Sequence, residues 1–173
     1  MYERACCSYQ KLDKPLYGTD MKNRDRLIDA ICTVYDKAWV SENGNRPVYK
    51  PEDGVTHCNF AVQDVAKMMG YKELDHRLAN EICDFPSASK DWSKIVMGGV
   101  QDLANQGALV IAGMHGNPHG HVCVVRPGLS KWSTKWNAPV PAVMNIGGSC
   151  FISKGINFAF RDIPDFYVWK DSL

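Results

Sequence analysis

Residues Thr56–Tyr71 read THCNFAVQDVAKMMGY. Cys58, Ala61, Val62, Val65, Ala66 and Met69 fall at offsets of 0, 3, 4, 7, 8 and 11, the stripe of a helix with one apolar face. Thr56 is the expected N-cap and Gly70 the expected stop. The spacing therefore puts a cysteine in the first turn of a helix, turned toward a core. Free cysteine is among the most buried residue types, so packing alone accounts for such a position. A helix N-terminus also favours the thiolate, and its unpaired N–H groups can hold an oxyanion. Choosing between a packed thiol and a nucleophile requires a base and an orienting group elsewhere in the chain.

Upstream, Leu27, Ile28, Ile31, Val34, Tyr35 and Ala38 keep helical spacing, and the turn-forming residues Ser41–Pro47 end that helix. Residues 1–20 read as an irregular arm, and 21–173 as a single domain. Downstream, shorter helices are expected over Leu78–Phe85 and Ile95–Asn105. The second half changes character. Ala108–Gly113 and His121–Arg126 are β-type runs joined by the loop Met114–Gly120, which predicts an antiparallel hairpin. A Trp-, Lys- and Ser-rich loop, Gly128–Pro139, leads to a strand over Ala142–Ile146, and Phe166–Trp169 reads as a closing strand. Helices first and antiparallel strands second predict an α+β fold, with N-terminal helices packed on a C-terminal antiparallel sheet.

His121 is the candidate base: it opens a strand, held by the sheet yet at its rim. Asn145 shares strand parity with Val143, so its amide points where an apolar residue would otherwise sit, and it could fix the imidazole tautomer. His119 is the rival base, within the loop, and His57 reads as a surface residue. His115, His119 and His121 admit a zinc reading, but Gly116, Pro118 and Gly120 do not support a helix that would bring the first two to one face. Metal ligands and cofactors are accordingly not expected. Asn59, Trp132 and Trp136 are the candidate substrate contacts.

The combination of His57-Cys58-Asn59-Phe60-Ala61-Val62 opening a helix, Gly120-His121-Val122-Cys123-Val124-Val125 on a strand, and a polar residue on the next strand resembles the NlpC/P60 and CHAP amidase group. The resemblance covers Val55–Ile146. It implies a papain-like cysteine peptidase fold, with Cys58 as nucleophile, His121 as base and Asn145 in the variable third position. It further implies hydrolysis of amide bonds in peptidoglycan, without a cofactor. A cysteine peptidase or acyl-transfer enzyme acting on protein is the alternative within that fold. A non-catalytic or metal-holding binding module is the alternative outside it.

Composition bounds these readings. The 173 residues are 45% apolar and 23% charged, with a net charge of +1 and no long basic run. Nothing points to nucleic acid or an anionic membrane as a partner. The longest apolar runs are too short to cross a bilayer. The N-terminal residues lack the apolar core of a signal peptide. The expectation is an enzyme made in the cytoplasm, reaching the wall through a phage pore or a specialised secretion system, with an inhibitor or immunity protein as partner. Seven cysteines without framework spacing read as mostly reduced thiols.

Overall fold

The computed structural model describes residues 21–39, 49 and 55–173. The expected N-terminal arm, the Ser41–Pro47 turn and the vicinal pair Cys6-Cys7 lie outside them. Among the described residues are four α-helices and an antiparallel six-stranded sheet, which makes the fold α+β.

Helices α1 (Met21–Trp39), α2 (Cys58–Met69) and α3 (Ala79–Ala88) come first, followed by β1 (Trp92–Ile95) and α4 (Met97–Asn105). The rest is β2 (Val110–Met114), β3 (His121–Val125), β4 (Lys131–Ser133), β5 (Ala138–Val140), β6 (Ala142–Asn145), β7 (Phe151–Gly155) and β8 (Asp165–Trp169). The large sheet runs β1-β8-β2-β3-β6-β7, and β4 and β5 form a separate hairpin.

Alternation along the strands sorts the core into two layers. Ile111 of β2, Val122 and Val124 of β3, and Met144 of β6 face α1, α2 and α3, among Leu27, Ile31, Val34, Val62, Val65, Met69 and Ile82. Residues of the other parity, Val110, Ala112, Cys123, Val125 and Val143, join Val100 and Ala104 of α4 and Phe160. Each fully buried aliphatic side chain here contributes about 2 kcal/mol. Helix α2 ends at Gly70, whose φ of 107° is left-handed, so its N–H reaches back to the helix carbonyls.

Four details differ from the sequence expectation. Helix α2 begins at Cys58, so His57 and not Thr56 is its N-cap, and no side chain caps it among the described residues. Ile95 belongs to strand β1 and not to the following helix. The Gly128–Pro139 loop folds into the β4–β5 hairpin, with Trp132 opposite Pro139. Strand β8 is interior, lying between β1 and β2, and does not close the sheet. Phe166, Tyr167 and Val168 are all buried, the pattern of a strand covered on both faces. Among the cysteines, Cys58, Cys83, Cys123 and Cys150 are free, but Cys32 is disulfide-bonded. No helix among the described residues is long and apolar enough to cross a membrane.

The far end of the sheet is tied by one buried side chain. Gln101 of α4 donates to the Arg126 carbonyl at 3.0 Å and accepts the Ala142 N–H at 2.8 Å. It thereby joins the end of β3 to the start of β6, the two strands whose other ends carry His121 and Asn145. Truncation leaves two buried backbone groups unpaired. Gln101→Ala is expected to cost about 2 kcal/mol, read as a lower urea midpoint at unchanged slope.

Candidate active site

Cys58 occupies the first turn of α2 and is 3% exposed. Because no side chain caps the helix, its first-turn N–H groups are not consumed by a capping oxygen. The backbone N–H groups of Asn59 and Val122 face the sulfur, and the His121 imidazole is the charged partner beside it. Helix α2 packs across β3, and His121 is the first residue of that strand.

His121 is also tied on its other side. Its Nε2 donates to Asn145 Oδ1 at 2.6 Å, across from β3 to β6. The amide orientation follows from chemistry: Asn145 Nδ2 lies 2.7 Å from the Ser149 carbonyl, which can only accept. Oδ1 is therefore the atom that meets the ring, Nε2 carries a proton, and Nδ1 is left for the sulfur. Asn145 is 3% exposed, so this pairing is shielded from water. A bulge in the β6–β7 pairing between Val143 and Asn145 lies where the strand presents this amide.

The imidazole is held in a slot. The Phe160 ring lies against it with centroids 5.1 Å apart. Gly147 closes the other approach, since a Cβ there would stand 3.1 Å from His121 Cε1. Cys58 belongs to the core layer under α1–α3, and Phe160 to the opposite layer. The sulfur–imidazole pair thus sits at the sheet rim where the two layers meet.

Electrostatically the pair is reciprocal. Burial pushes the Cys58 thiol up, but the hydrogen bond and charge of His121, with the two backbone N–H groups, outweigh it and bring the thiol below its ordinary value. Burial pushes His121 down, but Cys58 and Asn145 outweigh that and raise it. Both shifts favour a thiolate–imidazolium pair. The neighbouring thiols go the other way: burial pushes Cys83 up to about 12 and Cys123 well above its ordinary value.

The remaining sequence candidates lie elsewhere. The Asn59 side chain is turned to the Arg77 carbonyl at 3.0 Å, where Gln63 also donates, so it braces the α2–α3 connection. Trp132 is 64% exposed on β4, and Trp136 is half-buried against the second core layer. Among the described residues no hydrogen bond or ring contact joins either indole to Cys58, His121 or Asn145. Their hairpin approaches the site indirectly, through Lys135 Nζ and the Phe160 carbonyl at 3.5 Å. His119 is exposed, and His115 pairs with Asp84 at 2.7 Å. Among the described residues no three His, Cys, Asp or Glu side chains converge as metal ligands. Phe160, Gly147 and Ser149 escaped sequence reasoning. Gly147-Gly148 reads only as a turn, and nothing in the local pattern ties Phe160 to the distant strand β3.

The sequence matches no protein-family model. It is 28% identical over 149 residues to the peptidoglycan amidase Tse1 of Pseudomonas aeruginosa, an alignment covering 83% of this chain and 89% of that protein.

Selective alkylation follows from the opposed shifts. Iodoacetamide at neutral pH is expected to modify Cys58 well ahead of Cys83 and Cys123, with the Cys58 rate rising through a pH below the ordinary thiol range. Peptide mapping by mass spectrometry across pH reads this directly; equal labelling of the three thiols would contradict it.

Proposed function

We propose that this protein is a cysteine amidase of peptidoglycan, with Cys58 as nucleophile, His121 as general base and acid, and Asn145 as the orienter of the imidazole. The observation that carries the reading is the line from the Cys58 sulfur through His121 to Asn145, closed by the 2.6 Å Nε2–Oδ1 hydrogen bond. The similarity to the amidase Tse1 over most of both chains supports peptidoglycan as substrate. A papain-like architecture of the NlpC/P60 type is part of the same proposal, since a helix-borne cysteine docked on an antiparallel sheet that carries the histidine is that arrangement.

The steps follow from the proton positions. The Cys58 thiolate attacks the amide carbonyl carbon, and the negative charge passes to the carbonyl oxygen. The uncapped N–H groups of the first turn of α2 would serve as donors for that oxygen. As the C–N bond breaks, His121 Nδ1–H protonates the leaving nitrogen and a thioester remains on Cys58. Neutral Nδ1 then takes a proton from water, whose oxygen attacks the thioester. The carboxylic acid leaves and the thiolate–imidazolium pair is restored. Throughout, Asn145 keeps Nε2 protonated, so that Nδ1 is the nitrogen that exchanges the proton.

A role as an antibacterial effector acting in the cell envelope, with an inhibitor protein guarding the producing cell, completes the proposal. The disulfide at Cys32 suits an oxidising compartment such as the periplasm. Delivery would be by a specialised secretion system or a phage pore.

Release of new amines from purified wall tests the reading. Cys58→Ala is expected to lower it by roughly 10³-fold or more, and His121→Ala comparably. Asn145→Ala should lower kcat by roughly 10²-fold with little change in KM, because the amide touches the imidazole and not the substrate. Cleavage of a protein substrate with wall left intact would overturn the choice of substrate. The profile of kcat/KM against pH is expected to be a bell. Activity rises as Cys58 loses its proton, at a pH below the ordinary thiol value, and falls as His121 loses its own, above the ordinary imidazole value.

A further inference from the structure

We infer that Asn80, on α3, is a positioning residue for His121, acting through the backbone of the β2–β3 loop. The inference rests on the assignment of His121 as the base in the proposed reaction.

Six residues, 115–120, separate Met114 from His121, which face each other across the hairpin as Cα partners. The loop is rich in glycine, histidine and proline and has little apolar surface with which to anchor itself. Its main anchor is polar and comes from the Asn80 side chain. Asn80 Oδ1 accepts the Gly116 N–H at 3.2 Å, and Nδ2 donates to the Gly116 carbonyl at 3.0 Å. Nδ2 also donates to the Pro118 carbonyl at 3.5 Å. The amide thus offers Gly116 the donor and acceptor that a neighbouring strand would, and one of its oxygen lone pairs and both N–H bonds go to this loop.

The same oxygen abuts the residue next to the base. A Cβ on Gly120 would overlap Asn80 Oδ1, so the backbone immediately before His121 rests on this amide. One helical turn on, Asp84 pairs with His115 at 2.7 Å, but both side chains are largely exposed, and such pairs hold little. Asn80 is therefore the stronger of the two clamps from α3. Its energetic role is geometric. His121 must present Nε2 to Asn145 and Nδ1 to the sulfur at once, and a shift of its Cα by a fraction of an ångström breaks one of them.

The test uses the full chain and three variants, Asn80→Ala, Asn80→Asp and Asp84→Asn. Two readouts are taken: the pH profile of Cys58 alkylation by iodoacetamide without substrate, and kcat and KM on purified wall. Asn80→Ala is expected to slow alkylation at pH 7 roughly tenfold, to move its rise to higher pH, and to lower kcat roughly tenfold at unchanged KM. Asn80→Asp keeps the oxygen facing Gly116 N–H and Gly120 but loses both donated bonds, so it should fall between wild type and Asn80→Ala. Asp84→Asn should match wild type in both readouts. A purely structural role for Asn80 would lower the urea midpoint and leave the alkylation profile where it was. That result, or Asp84→Asn causing the larger loss, overturns the inference. Where Asn80→Ala does not fold, a wild-type alkylation profile in Asn80→Asp overturns it equally. The functional reading fails on a different observation, wall hydrolysis undiminished by Cys58→Ala, whereas alkylation reports on the imidazole without any substrate.

Discussion

The pairing of the Cys58 sulfur with the His121 ring depends on two ends meeting: the first turn of α2 and the first residue of β3. A cysteine one turn later in α2 would be deep under the sheet, among Val62 and Val65, with burial alone acting on its thiol. A histidine two residues later on β3 would replace Cys123 inside the second core layer. Only at the rim can a buried sulfur keep a protonatable partner and an approach from solvent. Much of the fold serves that meeting. Gln101 ties the far ends of β3 and β6, the β6–β7 bulge lies beside Asn145, and Asn80 backs the loop that enters β3.

Burial by itself would silence Cys58. The contrast with Cys83 and Cys123 makes the point within one molecule: all three thiols are buried, and the two without an imidazole partner are pushed up. What separates Cys58 is a cation and two backbone N–H groups directed at its sulfur. Desolvation opposes the charged pair at both ends, and the attraction between sulfur and ring, with the N–H groups and the Asn145 amide, outweighs that cost. The rigidity of the ring matters as much as its charge. Phe160, Gly147 and the Asn145 amide leave the imidazole one orientation, so no reorganisation is needed when charge develops.

Much of the fold was legible along the chain. The helical stripe of α2, its stop at Gly70, the β2–β3 hairpin and the inward-facing parity of Asn145 all follow from periodicity and turn chemistry, and each stands in the structure. Where the reading departs, a non-local partner decides. Trp92–Ile95 is too short to register as a strand by itself, and it becomes one by pairing with β8. The β4–β5 hairpin emerges from a stretch with no clear alternation. Phe166–Trp169 carried the sign of a central strand in its apolar residues of both parities, but its place between β1 and β2 is a matter of topology.

The sequence by itself determined that a cysteine would open an amphipathic helix, that a histidine would open a strand, and that an asparagine would sit inward on a later one. These are local consequences of the 3.6- and 2-residue periods and of the residues that interrupt them. Only the tertiary structure decided that these three side chains meet, and with which atoms. The sulfur and the ring are 63 positions apart, as the difference between 121 and 58, and the ring and the amide 24. No period spans such distances, and sub-ångström geometry is set by packing and by polar contacts of the kind made by Ser149 and Asn80, whose own neighbours along the chain give no hint of them.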